Sequence, residues 1–350
     1  MTPLVSLLLI GCSALLMLET PATMRHPPLS MLASGLGKKG AAAKSKGKAG
    51  GKGGGKAGTS KGGGGFGKPK KPAAVLDDDV AALLERANGN LDAAQAAFFQ
   101  QSVMRLQQEE PELFEKMQQA SVSMRSDEVH EKLVEMTWDT IAAFMPMAGG
   151  TPGEVKRKLR QVARAACDTS SRDGKKVSVL DVGCGDGAAL PYLVAAGADE
   201  ASYVGLDLSS RMIKAAQQAH SSGGAVFECG SFVGSSLAAP PSTYDTVLFN
   251  GALQFFTDQE DVLRRAAALV PNSGGRVVLA HVNGAAFVRE EAAGNPNTVP
   301  SVMPDMDWLR RQALELGMAI IGPRALGIEG GVDEANLLES FYLVALERVG

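Results

Sequence analysis

The sequence predicts an α/β fold, a mostly parallel sheet interleaved with helices and preceded by a helical extension. Three observations lead there. Val177, Val179, Leu180 and Val182 form a short apolar run that a glycine cluster stops, the pattern of a strand buried on both faces. A second run, Tyr203-Val204-Gly205-Leu206-Asp207, follows after a helix-length interval and ends on a carboxylate. Strand-like and helix-like stretches then alternate to the C-terminus, as βαβ units require.

The first run enters a tight turn in which Gly183, Gly185 and Gly187 stand two apart. Without Cβ atoms the turn can take positive φ and let a ligand approach the main chain. Ala188 to Ala196 reads as a helix whose first amides face that turn, with Pro191 placing its start close by. The Gly-x-Gly-x-Gly spacing behind Asp181 differs from the Gly-x-Gly-x-x-Gly of nicotinamide and flavin enzymes. Asp207, about 20 residues beyond the last glycine, can accept hydrogen bonds from both hydroxyls of a ribose.

Val179-Leu180-Asp181-Val182-Gly183-Cys184-Gly185-Asp186-Gly187 and Val204-Gly205-Leu206-Asp207-Leu208-Ser209 together resemble the first two motifs of the class I S-adenosylmethionine-dependent methyltransferases. The similarity runs in order from about Lys175 to Gly350. It implies a seven-stranded, mostly parallel Rossmann-like sheet with its last strand reversed, and S-adenosyl-L-methionine as cofactor. It places Asp181, Gly183, Gly185 and Gly187 near the methionine part and Asp207 at the ribose, with Cys184 and Leu208 in the same site. In the turn Gly230-Ser231-Phe232, Ser231 stands where the family usually offers an aspartate to the adenine amino group. A hydroxyl still accepts one hydrogen bond, and Phe232 can meet the ring.

Taken in order, residues 1–22 carry an apolar run suited to a removable targeting signal, too short for a membrane anchor, with Thr20-Pro21-Ala22 as small residues for cleavage. Residues 23–76 become dense in Gly and Lys and have almost nothing to bury. Thr20 to Leu76 contains no acid against Arg25 and eleven lysines, so Asp77 to Gly350 carries a net charge of -14 although the whole chain stands at -3. A hydrophobic signal followed by a basic segment resembles the bipartite leaders of algal plastid proteins, with the secretory pathway or the mitochondrion as alternative destinations. The same lysines would also suit a polyanion such as RNA.

Residues 77–170 read as a helical extension. Asp77-Asp78-Asp79 caps a helix carrying Val80, Leu83 and Leu84, Asn88-Gly89-Asn90 breaks it, and Leu91 to Leu106 carries Ala94, Ala97, Phe98 and Phe99 on one face. Leu83 to Ala94 resembles the last two helices of ubiquitin-associated-like modules, but a helical hairpin packed on the rest of the chain is the favoured reading. Pro111 starts another helix, with Leu113, Met117, Val122, Val129, Leu133, Met136 and Ile141 as an interrupted apolar face that ends at Pro146 and Gly149-Gly150. Pro152 to Cys167 is amphipathic. Together these helices are positioned to form a lid.

Residues 171–350 form the predicted methyltransferase domain. Beyond Asp207, Ser209 or Ser210 caps a helix to Ala219, Ala225 to Cys229 is the third strand, and Tyr244 to Asn250 the fourth. Asp258 to Val270 is a helix and Arg276 to Val282 the fifth strand, with His281 near its C-terminal end as a candidate general base. Asn283 to Asp305 reads as a long loop for acceptor recognition. Asp307 to Leu316 is a helix, Met318 to Ile321 the sixth strand and Phe341 to Glu347 the reversed seventh.

Asn250 is both a cofactor-site and a catalytic candidate. After it, Gly251-Ala252-Leu253 lacks the Pro-Pro-aromatic of enzymes that methylate adenine or cytosine amino groups, and the loop has no cysteine beside proline for cytosine carbon. Hydroxyl acceptors, ribose included, stay open. Cys12, Cys167, Cys184 and Cys229 show no paired spacing, which argues against zinc and disulfides and for a reducing compartment. The resemblance thus implies methyl transfer to a small-molecule or protein acceptor with no membrane anchor in the mature chain. The alternatives are an RNA methyltransferase tethered by its lysines and a non-catalytic scaffold.

Overall fold

The computed structural model describes residues 77–120, 126–147, 151–168, 175–234, 242–328 and 334–349. The leader readings on residues 1–76, together with Val122 and Gly149-Gly150, lie outside the described residues.

Seven strands form one sheet: β1 (Val177–Val182), β2 (Ala198–Asp207), β3 (Val226–Cys229), β4 (Thr246–Asn250), β5 (Arg276–His281), β6 (Met318–Ile321) and β7 (Tyr342–Arg348). Their order is β3-β2-β1-β4-β5-β7-β6. The pairings from β3 across to β5 are parallel, whereas β7 lies antiparallel to both β5 and β6. The sheet is therefore mixed, its one reversed strand inserted between two that share the common direction. Strand order reverses at β1 and β4, so the crevice outside their carboxyl ends is where such a fold binds ligands.

Period-two alternation explains why the central strands are apolar throughout. On β4, Val247 and Phe249 join one core while Leu248 joins the other. The first core is closed by the helices α8 (Gln259–Leu269), α9 (Gly284–Gly294) and α10 (Met306–Leu316), through residues such as Leu263, Val288 and Leu309. The second is closed chiefly by α5 (Gly153–Cys167), α6 (Leu190–Ala196) and α7 (Ser210–Ala219), through Val162, Leu193 and Ile213. Arg276, buried on β5, fastens α5 to the sheet by bonding Glu347, the Asp168 carboxylate at 3.2 Å and the Ala165 carbonyl at 3.1 Å.

The segment after β5 departs from the expected loop. Residues 284–294 form α9, because Ala285 to Ala293 is mostly strong helix formers between two glycines. Gly284 opens it at φ +80°, and a Cβ there would stand 2.1 Å from the Glu339 carbonyl oxygen, so the helix seats directly on the backbone of α11 (Glu334–Ser340).

The helical extension comprises α1 (Asp78–Arg86), α2 (Leu91–Glu109), α3 (Pro111–Gln119) and α4 (Asp127–Phe144), followed by α5. It has two apolar clusters of its own: Val80, Leu83, Phe98 and Phe144 in one, Phe99, Leu113, Leu133 and Met136 in the other. The α1–α2 hairpin packs on the sheet half through Arg211, which bonds Asp77 at 2.8 Å and lies 4.9 Å from the centre of the Phe98 ring. The face expected from Leu113 to Ile141 is split between α3 and α4.

Candidate functional site

At the carboxyl ends of β1, β2 and β4 a cleft of about 810 Å³ opens beneath α4. Its floor is the glycine turn. Gly183 has φ +72°, and a Cβ there would lie 2.5 Å from the Cβ of Ala252, so the turn presses on the segment after β4. Gly185 has φ +56° and nothing within 4 Å of where its Cβ would be. Gly185 also lines the cavity. Gly187 instead faces His220 and Phe227 and supports the turn from behind.

Asp207 clamps this turn to β2. Its two carboxylate oxygens accept the Gly185 and Ser209 backbone N–H groups, each at 2.9 Å. Burial pushes its pKa up, and the two N–H donors oppose that shift. Each oxygen keeps a further lone pair, enough for a pair of ribose hydroxyls. Ser209 also caps α7, accepting from the Met212 N–H at 3.0 Å, as the sequence predicts.

Asp181 lies at the bottom of the cleft, 1% exposed. One oxygen accepts the Tyr203 hydroxyl at 2.9 Å, while Oδ1 has no partner. Burial raises its pKa to about 7, an effect the nearby Asp207 charge reinforces and the Tyr203 bond opposes. An ammonium group would satisfy this orphaned oxygen. Asn250, at the end of β4, likewise presents a buried Oδ1 with no partner and lines the cavity.

Leu208 and Phe232 also line the cavity, the latter packed edge-on against Phe249 and Phe256. Cys184 does too, but burial drives its thiol pKa far up, so it stays protonated and packs at Gly205. Ser231 is not in the lining. Its hydroxyl donates to Glu131 of α4 and accepts the Gly234 N–H at 2.8 Å, so a carboxylate does stand at this corner of the cleft, supplied by another element. His281 also lies apart from the lining. It is 6% exposed, stacks on Phe287 and accepts the Asn283 N–H at 3.3 Å. Burial, with the charge of Lys158, lowers its pKa to about 4 and keeps the ring neutral.

The roof is α4, and the sequence reading missed how it is fastened. Asp127, Glu131, Glu135 and Asp139 recur every four residues and so share one helix face. Asp127 accepts the Thr257 hydroxyl at 2.9 Å, and Glu131 accepts that of Ser231. Asp139 accepts the Ser209 hydroxyl at 2.6 Å and the Arg211 N–H at 3.2 Å. The neighbouring stripe adds His130, whose Nε2 bonds the Phe255 carbonyl at 2.6 Å, and Trp138, edge-on to Phe255 at 5.6 Å. Three of the four acids thus each pin the helix to a different loop at the sheet edge. The signal was present in the spacing itself, because like charges at i,i+4 destabilise a helix unless something answers them.

Among the described residues no group of three or more His, Cys, Asp or Glu is placed to hold a metal, and no helix is long and apolar enough to cross a membrane. A doubly wound sheet with its penultimate strand position reversed, and a glycine turn after β1, give this chain the α/β Rossmann-like methyltransferase fold. Residues 180–277 match the family model described as a methyltransferase domain. Similar solved structures include the CurJ carbon methyltransferase, at 14% identity over 79% of this chain and 82% of that one with a TM-score of 0.47. A second is an S-adenosylmethionine-dependent methyltransferase from Mesorhizobium loti, at 19% identity over 56% and 98% with a TM-score of 0.40. A third is the magnesium protoporphyrin IX methyltransferase of Synechocystis PCC 6803 with bound SAH, at 17% identity over 57% and 90% with a TM-score of 0.39. No curated protein matches this chain.

Proposed function

We propose that this protein moves a methyl group from S-adenosylmethionine to a small-molecule or protein acceptor, with residues 171–350 as the catalytic domain and residues 77–170 as its helical cover. The observation that carries this reading is the pair of carboxylates at the glycine turn: Asp207 with lone pairs left for a ribose, and Asp181 with a buried oxygen that lacks a donor. Gly183, Cys184 and Gly185 would lie along the methionine part, Leu208 and Phe232 beside the adenine, and Asn250 between donor and acceptor. Once bound, the sulfonium supplies an activated methyl group whose transfer needs no acid at the leaving sulfur. The protein aligns the acceptor and excludes water, and α4 covers the cleft for that purpose. Titration calorimetry of the chain with S-adenosylmethionine tests the reading: binding that Asp207→Ala abolishes is expected, and undiminished binding in that variant removes its basis.

His281 acts in this reading as a packing residue behind Gly251, since a general base must reach the acceptor and this ring is sealed against Phe287. The hydrophobic and lysine-rich leader supports delivery to a plastid of an alga. RNA as acceptor is the weaker reading, because the cleft presents acids where a phosphate backbone needs cations. A scaffold without turnover would bind the cofactor and label nothing in an extract supplied with methyl-labelled donor.

A further inference from the structure

The glycine turn follows β1 and Asp207 ends β2, whereas β4 lies on the other flank of β1 and carries Phe255 and Phe256 beyond its end. Together with Trp138 of α4 these rings line the cavity, and all three are only partly buried. A second aromatic layer backs them. Phe232 and Phe249 are buried and stand edge-on to Phe256, at 74° and 85°. The protein thus supports the front rings from behind, and an apolar body in the cavity would complete their burial.

The front rings also have a definite geometry. Trp138 and Phe255 stand 5.6 Å apart between ring centres and 87° between planes, so they form a corner. A flat ring entering that corner meets the face of one and the edge of the other, the two arrangements that aromatic pairs favour. Both rings are held in place beforehand: His130 bonds the Phe255 carbonyl at 2.6 Å, and Asp139, next to Trp138, accepts the Ser209 hydroxyl at 2.6 Å. A second observation comes from Asn250, five residues before Phe255 and in the same lining, whose buried Oδ1 has no partner. The donor reading gives the ammonium to Asp181 and the ribose hydroxyls to Asp207. Asn250 is left with an acceptor atom that asks for an O–H or N–H.

We propose that the methyl acceptor is a flat aromatic ring bearing an O–H or N–H group, with the ring in the corner of Trp138 and Phe255 and its hydrogen on Asn250. The cavity has room for such a molecule beside the donor, since its volume of about 810 Å³ stands in the upper part of the range of about 300–1,000 Å³ for small-molecule sites. The inference rests on the methyl-transfer reading, which assigns the glycine turn, Asp207 and the Phe232 side to the donor and leaves the corner beyond β4 to the acceptor. The ring belongs either to a free small molecule or to an aromatic side chain of a protein, and both present the same chemistry.

Equilibrium dialysis of the full chain, alone and saturated with S-adenosylhomocysteine, decides it with three probes: naphthol, decahydronaphthol of the same carbon skeleton, and naphthyl methyl ether, which keeps the rings and loses the hydrogen. Naphthol is expected to bind beside S-adenosylhomocysteine, about tenfold more tightly than its saturated counterpart and about fivefold more tightly than the ether. Trp138→Leu combined with Phe255→Leu should bring the first ratio to about one, and Asn250→Ala the second. Equal binding of naphthol and decahydronaphthol to the unaltered chain overturns the proposal whether or not the variants fold. Displacement of S-adenosylhomocysteine by naphthol overturns it too, because the corner would then belong to the adenine. Equal binding of naphthol and its ether overturns the part given to Asn250. An acetylated Gly-Tyr-Gly amide separates the sources, since its binding marks a protein acceptor and its failure beside bound naphthol marks a small one. Failure of S-adenosylhomocysteine to bind overturns instead the methyl-transfer reading, and the ratios measured on the chain alone are then read by themselves.

Discussion

The floor and the roof of the cleft are held by contacts of different reach. On the floor, Gly185 to Asp207 and Tyr203 to Asp181 each join residues 22 apart in the chain. On the roof, α4 reaches Ser209, Ser231, Phe255 and Thr257 across 70, 100, 125 and 130 residues. The floor is therefore a property of one βαβ unit, closed by backbone amides on Asp207 and by the Tyr203 hydroxyl on the buried Asp181. The roof exists only once the helical layer has docked, and its bonds are mostly between side chains at the edge of solvent. The donor site should then be stiff and intolerant of change, and the roof able to lift.

The floor should break most severely at Asp207. In Asp207→Ala the Gly185 and Ser209 N–H groups lose their acceptor. Each buried group left unsatisfied costs about 1–3 kcal/mol, so a loss of roughly 2–5 kcal/mol in denaturant unfolding is expected together with loss of donor binding. Gly183→Ala comes next. The new methyl group meets Ala252 at 2.5 Å on a backbone of φ +72°. Overpacking and the left-handed conformation together should cost about 2–4 kcal/mol. An unfolding midpoint equal to that of the unaltered chain in either variant would show the floor to be more yielding than the roof.

The same division explains what the sequence disclosed. Whereas β2 starts at Ala198, ahead of the expected Tyr203, the glycine turn, the Ser209 cap and the bounds of β1 were legible because residues a few positions apart determine them. The helix at 284–294 was not, since Asn283, Gly284, Gly294, Asn295 and Pro296 weigh a composition argument toward loop, while Ala285 to Ala293 decides the conformation. The carboxylate beside Ser231 was illegible for another reason. It comes from residue 131, and only the docked helix brings it to the turn after β3. The acids at 127, 131, 135 and 139 were readable as a pattern, but their partners were not.

Asp181 offers a way to sharpen the comparison by pH. Its pKa is raised in the folded protein to about 7 from an ordinary value of 3.8, with Tyr203 and Asp207 as the groups that face it. The folded state thus holds a proton that the unfolded chain has already released, so stability contributed by this group falls as pH rises from about 4 to about 7. Binding of an ammonium at Oδ1 runs the other way, because it needs the carboxylate. Donor affinity should therefore drop by up to about tenfold for each pH unit below 7. Asp181→Asn should flatten both profiles, and calorimetry from pH 5.5 to 8 beside thermal unfolding would read them. An unchanged slope in the variant would place the titrating group elsewhere.

The roof should give the smallest effect. Ser231→Ala removes the bond to Glu131, a half-buried carboxylate, and the bond from the exposed Gly234 N–H, both of which water can replace, so the loss is about 1 kcal/mol. Asp127, Asp139 and His130 still fasten α4 in that variant. The helix should nevertheless open more often, and its backbone amides between residues 127 and 139 should exchange with solvent faster while those of β1 keep their protection. Donor affinity should change by less than about threefold, because a roof that lifts on its own timescale adds only its closing equilibrium to the binding constant. A loss in Ser231→Ala comparable to that in Asp207→Ala would mean that the roof holds the donor as firmly as the floor does, and that the long-range contacts, not the local ones, assemble the site.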